Sequence, residues 1–330
     1  MVEGKRILLV SRPRGEPTPE NFKLETHTYA KPGPDQMLLK VLYLSIEYLR
    51  GRMNESKESY VPRVEIGDVM GGGTVAKVLE SNLPKFKVGD LVLSPSGWQE
   101  YEVSSGKDCI VIPAAAAENP SRALGILGMP SFTAWAGTLK IGAPKQGETL
   151  VVAAATGAVG SVVGQIAKLQ GLRVVGIAGG AKKCEYAVKE FGFDVCLDHT
   201  KDDLAQKLKE ACPKGIDIYF ENVGGKVFQA VLPLLNIGAR IPLCGIISGY
   251  SATELPAGPD RTPLVQGTFL TKSVTNFGHL YGEFIKEMSP WAKEGKVKML
   301  EDVRTGIETA PAGLIGILKG DNFGKLIIKF

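Results

Sequence analysis

A chain of 330 residues exceeds what one hydrophobic core usually serves, so two domains are the expectation. Apolar residues at 44% and charged residues at 22% are ordinary for a globular protein and exclude a disordered or fibrous chain. The net charge of +4 is spread along the chain, which excludes the clustered basic footprint of a nucleic-acid binder and suits a small anionic ligand.

In chain order, the opening MVEGKRILLVSRPRGE holds too short an apolar run for a signal peptide, and no window reaches bilayer-spanning length. MLLKVLYLSI, GGGTVAKVLES and GDLVLSPSGWQEYEVS read as short strands broken by glycine and proline, predicting a folded-over sheet or partial barrel. The stretch from Ile112 to Glu118 reads as a link, and the texture turns helical from Ser121 through SRALGILGMPSFTAWAGTLK. An alternation follows. TLVVAAA, LRVVGIAGG, FDVCLD, GIDIYFENV and ARIPLCGI read as strands; VGSVVGQIAKLQG, KKCEYAVKEFG, KDDLAQKLKEAC and KVFQAVLPLLN read as the helices between them. Near-continuous apolar strands separated by amphipathic helices predict a doubly wound parallel sheet, an α/β Rossmann architecture, from Thr149 to Phe277. EFIKEMSPWAKEGK is a further helix, and FGKLIIKF an apolar strand expected to rejoin the first domain. Five cysteines (Cys109, Cys184, Cys196, Cys212, Cys244) lie far apart without a C-x-x-C, as reduced thiols of a cytoplasmic protein do.

The strand TLVVAAA runs into T-G-A-V-G and a helix, an A-x-G-x-x-G pattern on Ala155, Gly157 and Gly160. A small residue permits the sharp turn, Gly157 admits the pyrophosphate to the backbone, and Gly160 lets helix and strand pack closely. The helix N-terminus beyond offers unpaired amides and a positive dipole end. A tight turn with no ligand would carry the same glycines; the alternating units downstream favour a dinucleotide. At the end of the second strand, where an acid would read a ribose 2′-hydroxyl, stand Gly179, Gly180, Ala181, Lys182 and Lys183, with no acid before Glu185. Lysines there favour the 2′-phosphate of NADP(H).

AAATGAVGSVVGQIAKLQG, with GMPSFTAWAG before it and FENVGG after it, resembles the medium-chain dehydrogenase/reductase superfamily. CGIISGY and GDNFGK narrow the resemblance to its zinc-independent branch of prostaglandin reductases, leukotriene B4 12-hydroxydehydrogenases and double-bond reductases. The resemblance implies a GroES-like, mostly-β catalytic domain of residues 1–121 and 300–330 around a Rossmann domain of 122–299. It also implies a homodimer paired through the sheet edge, with SVTNFG as the edge strand. The zinc ligand sets of the superfamily are missing from the sequence. The histidines are His27, His199 and His279, and Cys109 stands alone in the first domain, so no metal is expected.

The resemblance further places Gly157, Ala158, Val159 and Gly160 on the pyrophosphate and Lys183 on the 2′-phosphate. Asn222, Cys244, Gly245 and Ile246 would follow the adenosine and nicotinamide ribose, Phe277 and Gly278 the nicotinamide, and Asn322 the nucleotide near the C-terminus. His199 stands where relatives often have a tyrosine at the 2′-phosphate. The family string D-P-Y-M-R is shortened to Glu47, Tyr48, Leu49 and Arg50. Tyr48 and Met129 are expected in a substrate pocket, with Trp135 near the cleft, although aromatics and methionines in such places more often belong to the core. Tyr250, near the nicotinamide, would donate to the oxygen on which charge builds when hydride reaches the β-carbon of a hydrophobic enone or enal. A quinone oxidoreductase and a non-catalytic NADPH-binding protein share much of this pattern. The glycine- and proline-rich stretch from Ser248 to Thr262 has the composition of a loop that closes over substrate.

Overall fold

The computed structural model describes residues 1–46, 50–54, 62–112, 114–254, 262–263 and 278–330. The chain opens with strands β1 (Val2–Leu9), β2 (Phe22–Tyr29), β3 (Met37–Ser45), β4 (Thr74–Ser81), β5 (Leu91–Ser94), β6 (Tyr101–Ser104) and β7 (Ile110–Val111). Helix α1 (Met129–Ala136) runs on into a π-type turn, Gly137–Ile141. Next, β8 (Thr149–Ala153), α2 (Gly160–Leu169), β9 (Arg173–Ala178), α3 (Ala181–Lys189) and β10 (Val195–Asp198) alternate, followed by α4 (Leu204–Ala211), β11 (Ile216–Phe220), α5 (Gly225–Val231) and β12 (Leu235–Arg240). Helix α6 (Tyr281–Lys293), β13 (Glu301–Thr305), α7 (Ala310–Lys319) and β14 (Lys325–Lys329) complete it.

Two compact units form. One holds residues 1–128, 301–322 and 326–330, the other 129–300 and 323–325. The first is mostly β. The hairpin of β1 and β2 makes one sheet, and the order β13-β14-β3-β4-β5-β7 makes a second, with β6 also pairing β3. Alternation along β3 turns Met37, Leu39 and Val41 inward onto Ala76, Val78, Phe86 and Val92. Strand β14 pairs antiparallel with β3, Ile327 opposite Ser45 and Ile328 opposite Leu44.

The second unit carries the expected Rossmann-like sheet, parallel throughout its described strands, in the order β10-β9-β8-β11-β12. Burial on both faces explains the unbroken apolar sequence of β8, of which every residue is buried. Val151, Ala153, Val175, Ile177 and Ile216 meet Leu204 and Leu208 of α4 and Val227 and Val231 of α5 on one face. Strand β12 begins at Leu235, earlier than ARIPLCGI suggests, with a register irregularity against β11. The strand order reverses between β8 and β11, and such a reversal opens a ligand crevice at the carboxyl ends of the strands.

Candidate active site

At the carboxyl end of β8 the sharp turn falls on Ala154, whose φ of +52° is left-handed. Ala155 is buried instead, its N–H donating to the Ile177 carbonyl of β9 at 3.0 Å. The Gly157 N–H donates to the Ala154 carbonyl at 2.9 Å. A Cβ on Gly160 would stand 2.3 Å from that same oxygen, so only glycine lets α2 start so close to the strand. In the first turn of α2 the Ser161 and Val162 N–H groups donate back to the Gly157 and Val159 carbonyls at 3.1 and 3.0 Å, at the positive end of the helix dipole. Ala158 and Val159 lie in this turn.

At the end of β9, the His199 N–H donates to the Ala178 carbonyl at 3.0 Å. The imidazole lies beside Gly179, where a Cβ would approach Nε2 to 3.1 Å. Lys183, half-buried, follows in the first turn of α3. One acid missed from the sequence stands here. Asp198 Oδ1 accepts the Gly180 N–H at 2.8 Å, the Thr200 N–H at 3.0 Å and the Thr200 hydroxyl at 2.7 Å. The Gly180 amide above all holds this carboxyl at a pKa of about 2. The signal was the D-x-T turn closing a strand, where aspartate bonds to nearby amides.

Across the crevice, Asn222 follows β11 and its buried Nδ2–H donates to the Ala153 carbonyl at 2.8 Å, tying β8 to β11 where the order reverses. The N–H groups of Cys244 and Gly245 donate to the Glu221 carbonyl at 2.9 and 3.1 Å, and Ile247 N–H to that of Asn222 at 3.3 Å. Tyr250 closes the turn Ile247–Gly249, and its hydroxyl accepts the Ile246 N–H at 3.4 Å. A Cβ on Gly245 would stand 3.3 Å from both that hydroxyl and the Asn222 carbonyl. The structure thus gathers Asn222, Gly245, Ile246 and Tyr250 into one cluster. Cys244 joins it by its backbone; burial, reinforced by the Glu221 charge, pushes its thiol up to about 12. Glu221 itself is fully buried and was missed, although an acid ending the apolar run IDIYF was a readable signal.

Other expected residues fall elsewhere. Met129 is the first residue of α1 and 65% exposed. Trp135 is a core residue rather than a cleft residue. It is fully buried, stacked on Phe132, edge-on to Phe284, and donates from Nε1 to Glu287 at 2.9 Å. Gly278 opens an exposed turn into α6, and Asn322 belongs to the mostly-β unit, between α7 and β14. Tyr48 and Phe277 lie outside the described residues, as do 255–261 of the glycine- and proline-rich stretch and 273–277 of SVTNFG. Among the described residues no group of three or more His, Cys, Asp or Glu is arranged to hold a metal ion.

Fold and crevice together define an α/β protein built around a dinucleotide. Residues 5–112 match the family described as N-terminal domain of oxidoreductase, and residues 158–294 the family described as zinc-binding dehydrogenase. An NADPH-dependent curcumin reductase of Escherichia coli is 57% identical, over 98% of this chain and 96% of the relative. A 2-alkenal reductase (NADP(+)-dependent) of Nicotiana tabacum is 38% identical, over 99% and 97%. The crystal structure of CurA in complex with NADPH from Vibrio vulnificus, 51% identical over 98% of each chain, superposes with a TM-score of 0.91. The chain belongs to the zinc-independent branch of the medium-chain dehydrogenase/reductase superfamily.

Proposed function

We propose that this protein reduces the α,β-carbon–carbon double bond of hydrophobic enones and enals with NADPH. The observation that carries the reading is the cluster at the strand-order reversal, where the Tyr250 hydroxyl stands over Gly245 and beside Asn222. The named activities of the relatives support it.

The cradle fits the cofactor. The close approach of Gly160 to Ala154 brings the positive end of the α2 dipole to the pyrophosphate, with Gly157, Ala158, Val159 and Gly160 lining it. Lys183 holds the 2′-phosphate, with His199 beside Gly179 as a second donor. NADPH, when bound, supplies the hydride that adds to the β-carbon of the substrate. Tyr250 meets the charge that this addition builds on the carbonyl oxygen. Its phenol accepts the Ile246 N–H at 3.4 Å. A phenol hydroxyl suits the role of donor to an oxygen on which negative charge builds. The enolate then takes a proton from water at the α-carbon, giving the saturated carbonyl compound. Tyr48 and Met129 are proposed to line the substrate pocket, and Phe277, Gly278 and Asn322 to complete the cofactor contacts. The chain is proposed to work in the cytoplasm as a homodimer; five free cysteines and the lack, among the described residues, of a membrane-length apolar helix are in keeping with that address.

The test is loss of NADPH absorbance with a medium-chain 2-alkenal, beside NADH and quinone controls and a product analysis. Consumption of NADPH but not NADH, with saturated aldehyde formed, is the expected result. Turnover of the quinone alone would refute the reading.

A further inference from the structure

We infer that Cys184 and Cys196 form a modification site, a dithiol that hydrogen peroxide closes into a disulfide, and that closure loosens the hold of the neighbouring loop on a 2′-phosphate. The second half of the inference rests on the reading of the cofactor site given above.

Strand periodicity places the pair. On β9 and β10, Val175, Ile177, Val195 and Leu197 turn to the face that packs against α4 and α5. Gly176 and Cys196, opposite each other in the register, therefore turn to the other face. A Cβ on Gly176 would stand 3.1 Å from Cys196 Sγ, so the bare glycine makes room for the thiol. That thiol donates a hydrogen bond to Cys184, which is buried in the first turn of α3. The bond holds Cys184 below the usual thiol range, while Cys196 keeps its proton. Burial raises the thiols of Cys109, Cys212 and Cys244 instead.

Two thiols brought together from a helix and a strand have a chemistry that neither has alone. Cys196 is half-buried on β10, the edge strand of the described sheet order, which gives peroxide access to the pair. The Cys184 sulfur attacks a peroxide oxygen and the O–O bond breaks, leaving a sulfenic acid and one water. The Cys196 sulfur then attacks the oxidised sulfur, the S–S bond forms, and a second water leaves. Two electrons pass from the dithiol to the peroxide. A disulfide of about 2.05 Å is far inside hydrogen-bond reach, so closure draws α3 and β10 together. The loop between β9 and α3 moves with them. Lys183 precedes Cys184, whose N–H donates to the Gly180 carbonyl at 3.2 Å. Asp198, next on the same face of β10, accepts the Gly180 N–H at 2.8 Å. The end of a second strand is where a dinucleotide fold reads the ribose 2′ position.

The test exposes the full chain to hydrogen peroxide and maps its cysteines by mass spectrometry. The expected result is a loss of about 2 Da and a Cys184–Cys196 cross-linked peptide, reversed by dithiothreitol, with the other thiols still free. Cys196→Ser cannot close the bridge and is expected to hold a sulfenic acid at Cys184 that dimedone traps. No bridge, a bridge to another cysteine, or no adduct in that variant overturns the inference. In the oxidised chain the dissociation constant of adenosine 2′,5′-bisphosphate is expected to rise about tenfold and to recover on reduction, with that of adenosine 5′-monophosphate within about twofold. A bridged chain with native bisphosphate affinity overturns the link to the loop. A reduced chain that fails to bind the bisphosphate refutes the underlying cofactor reading, on which the cross-link map does not depend.

Discussion

Replacing Gly160 by alanine tests how the glycine turn works, because the obstacle can be measured. The new Cβ would lie 2.3 Å from the Ala154 carbonyl oxygen, 2.9 Å from its carbon and 3.1 Å from the Ala153 oxygen. An ordinary carbon–oxygen contact is about 3.3 Å, so the turn must open by about 1 Å. All three obstructing atoms are backbone, Ala154 is already left-handed, and the Ala153 oxygen is held by Asn222. The cost belongs at the upper end of overpacking, about 2–3 kcal/mol. At about 2–4 °C per kcal/mol for a unit of this size, the apparent Tm falls by about 4–12 °C. Moving the α2 amides by about 1 Å loses at least one charge-assisted bond, raising the NADPH Kd about 10- to 100-fold. Gly157→Ala separates the two effects. Its Cβ would meet the Ala154 oxygen at 3.2 Å, which a small shift relieves, so stability changes by less than about 1 kcal/mol. A methyl there still keeps the pyrophosphate from the backbone, and NADPH binding weakens at least about tenfold. Thermal melts and fluorescence titrations of both variants decide. Gly160→Ala with native melting and native affinity would refute the reasoning, as would Gly157→Ala losing as much stability as Gly160→Ala.

Tyr250→Phe is expected to lower kcat on a 2-alkenal about 10- to 100-fold with NADPH affinity within about twofold of native; an undiminished kcat removes the donor role. Lys183→Ala is expected to raise the KM for NADPH about tenfold while leaving that for NADH unchanged, and an equal rise in both would show that the lysine does not read the 2′-phosphate. Asp198 titrates at about 2 in the folded chain, below its ordinary range of about 4, so its contribution to stability is present above pH about 4 and is lost as pH falls toward 2. In melts across that range Asp198→Asn should flatten the acid limb of the native curve, and superimposable curves would argue against it.

The parallel sheet was legible because its strands are apolar on both faces and its helices on one. The mostly-β unit was less so. Strand β2, FKLETHTY, alternates polar and apolar residues along a hairpin that the long polar stretch after β1 conceals. Helix α7, APAGLIGILK, carries a proline in its first turn and two interior glycines; Gly313 lies against Leu326, where a Cβ would approach to 3.0 Å. In the site, the glycines were readable because backbone geometry limits the residue type. Trp135 could be read as core or cleft, because an aromatic in a helix near a cleft has the same sequence whether it faces core or ligand. The Phe132 and Phe284 rings that enclose it come from separate stretches of chain.

The two ends of the parallel sheet are finished in opposite ways, and the difference bears on how acids act in the crevice. At the amino ends of β8 and β11, long side chains satisfy the backbone. The Arg240 guanidinium donates to the carbonyls of Gly142, Ala143 and Asp217 and pairs with both oxygens of Glu148, while the Asp217 carboxylate accepts the Thr149 N–H and an Asn236 Nδ2–H. At the carboxyl ends glycines cluster, and two acids are turned onto the backbone. Asp198 holds Gly180 and Thr200 at the adenosine end; Glu221 holds Val223 and Gly224 at the other. A carboxylate projecting into the crevice at residues 178–181 would repel a 2′-phosphate, but one engaged by three donors orients the loop that receives it. Under the proposed function, NADPH is separated from NADH by where Asp198 spends its charge as well as by Lys183.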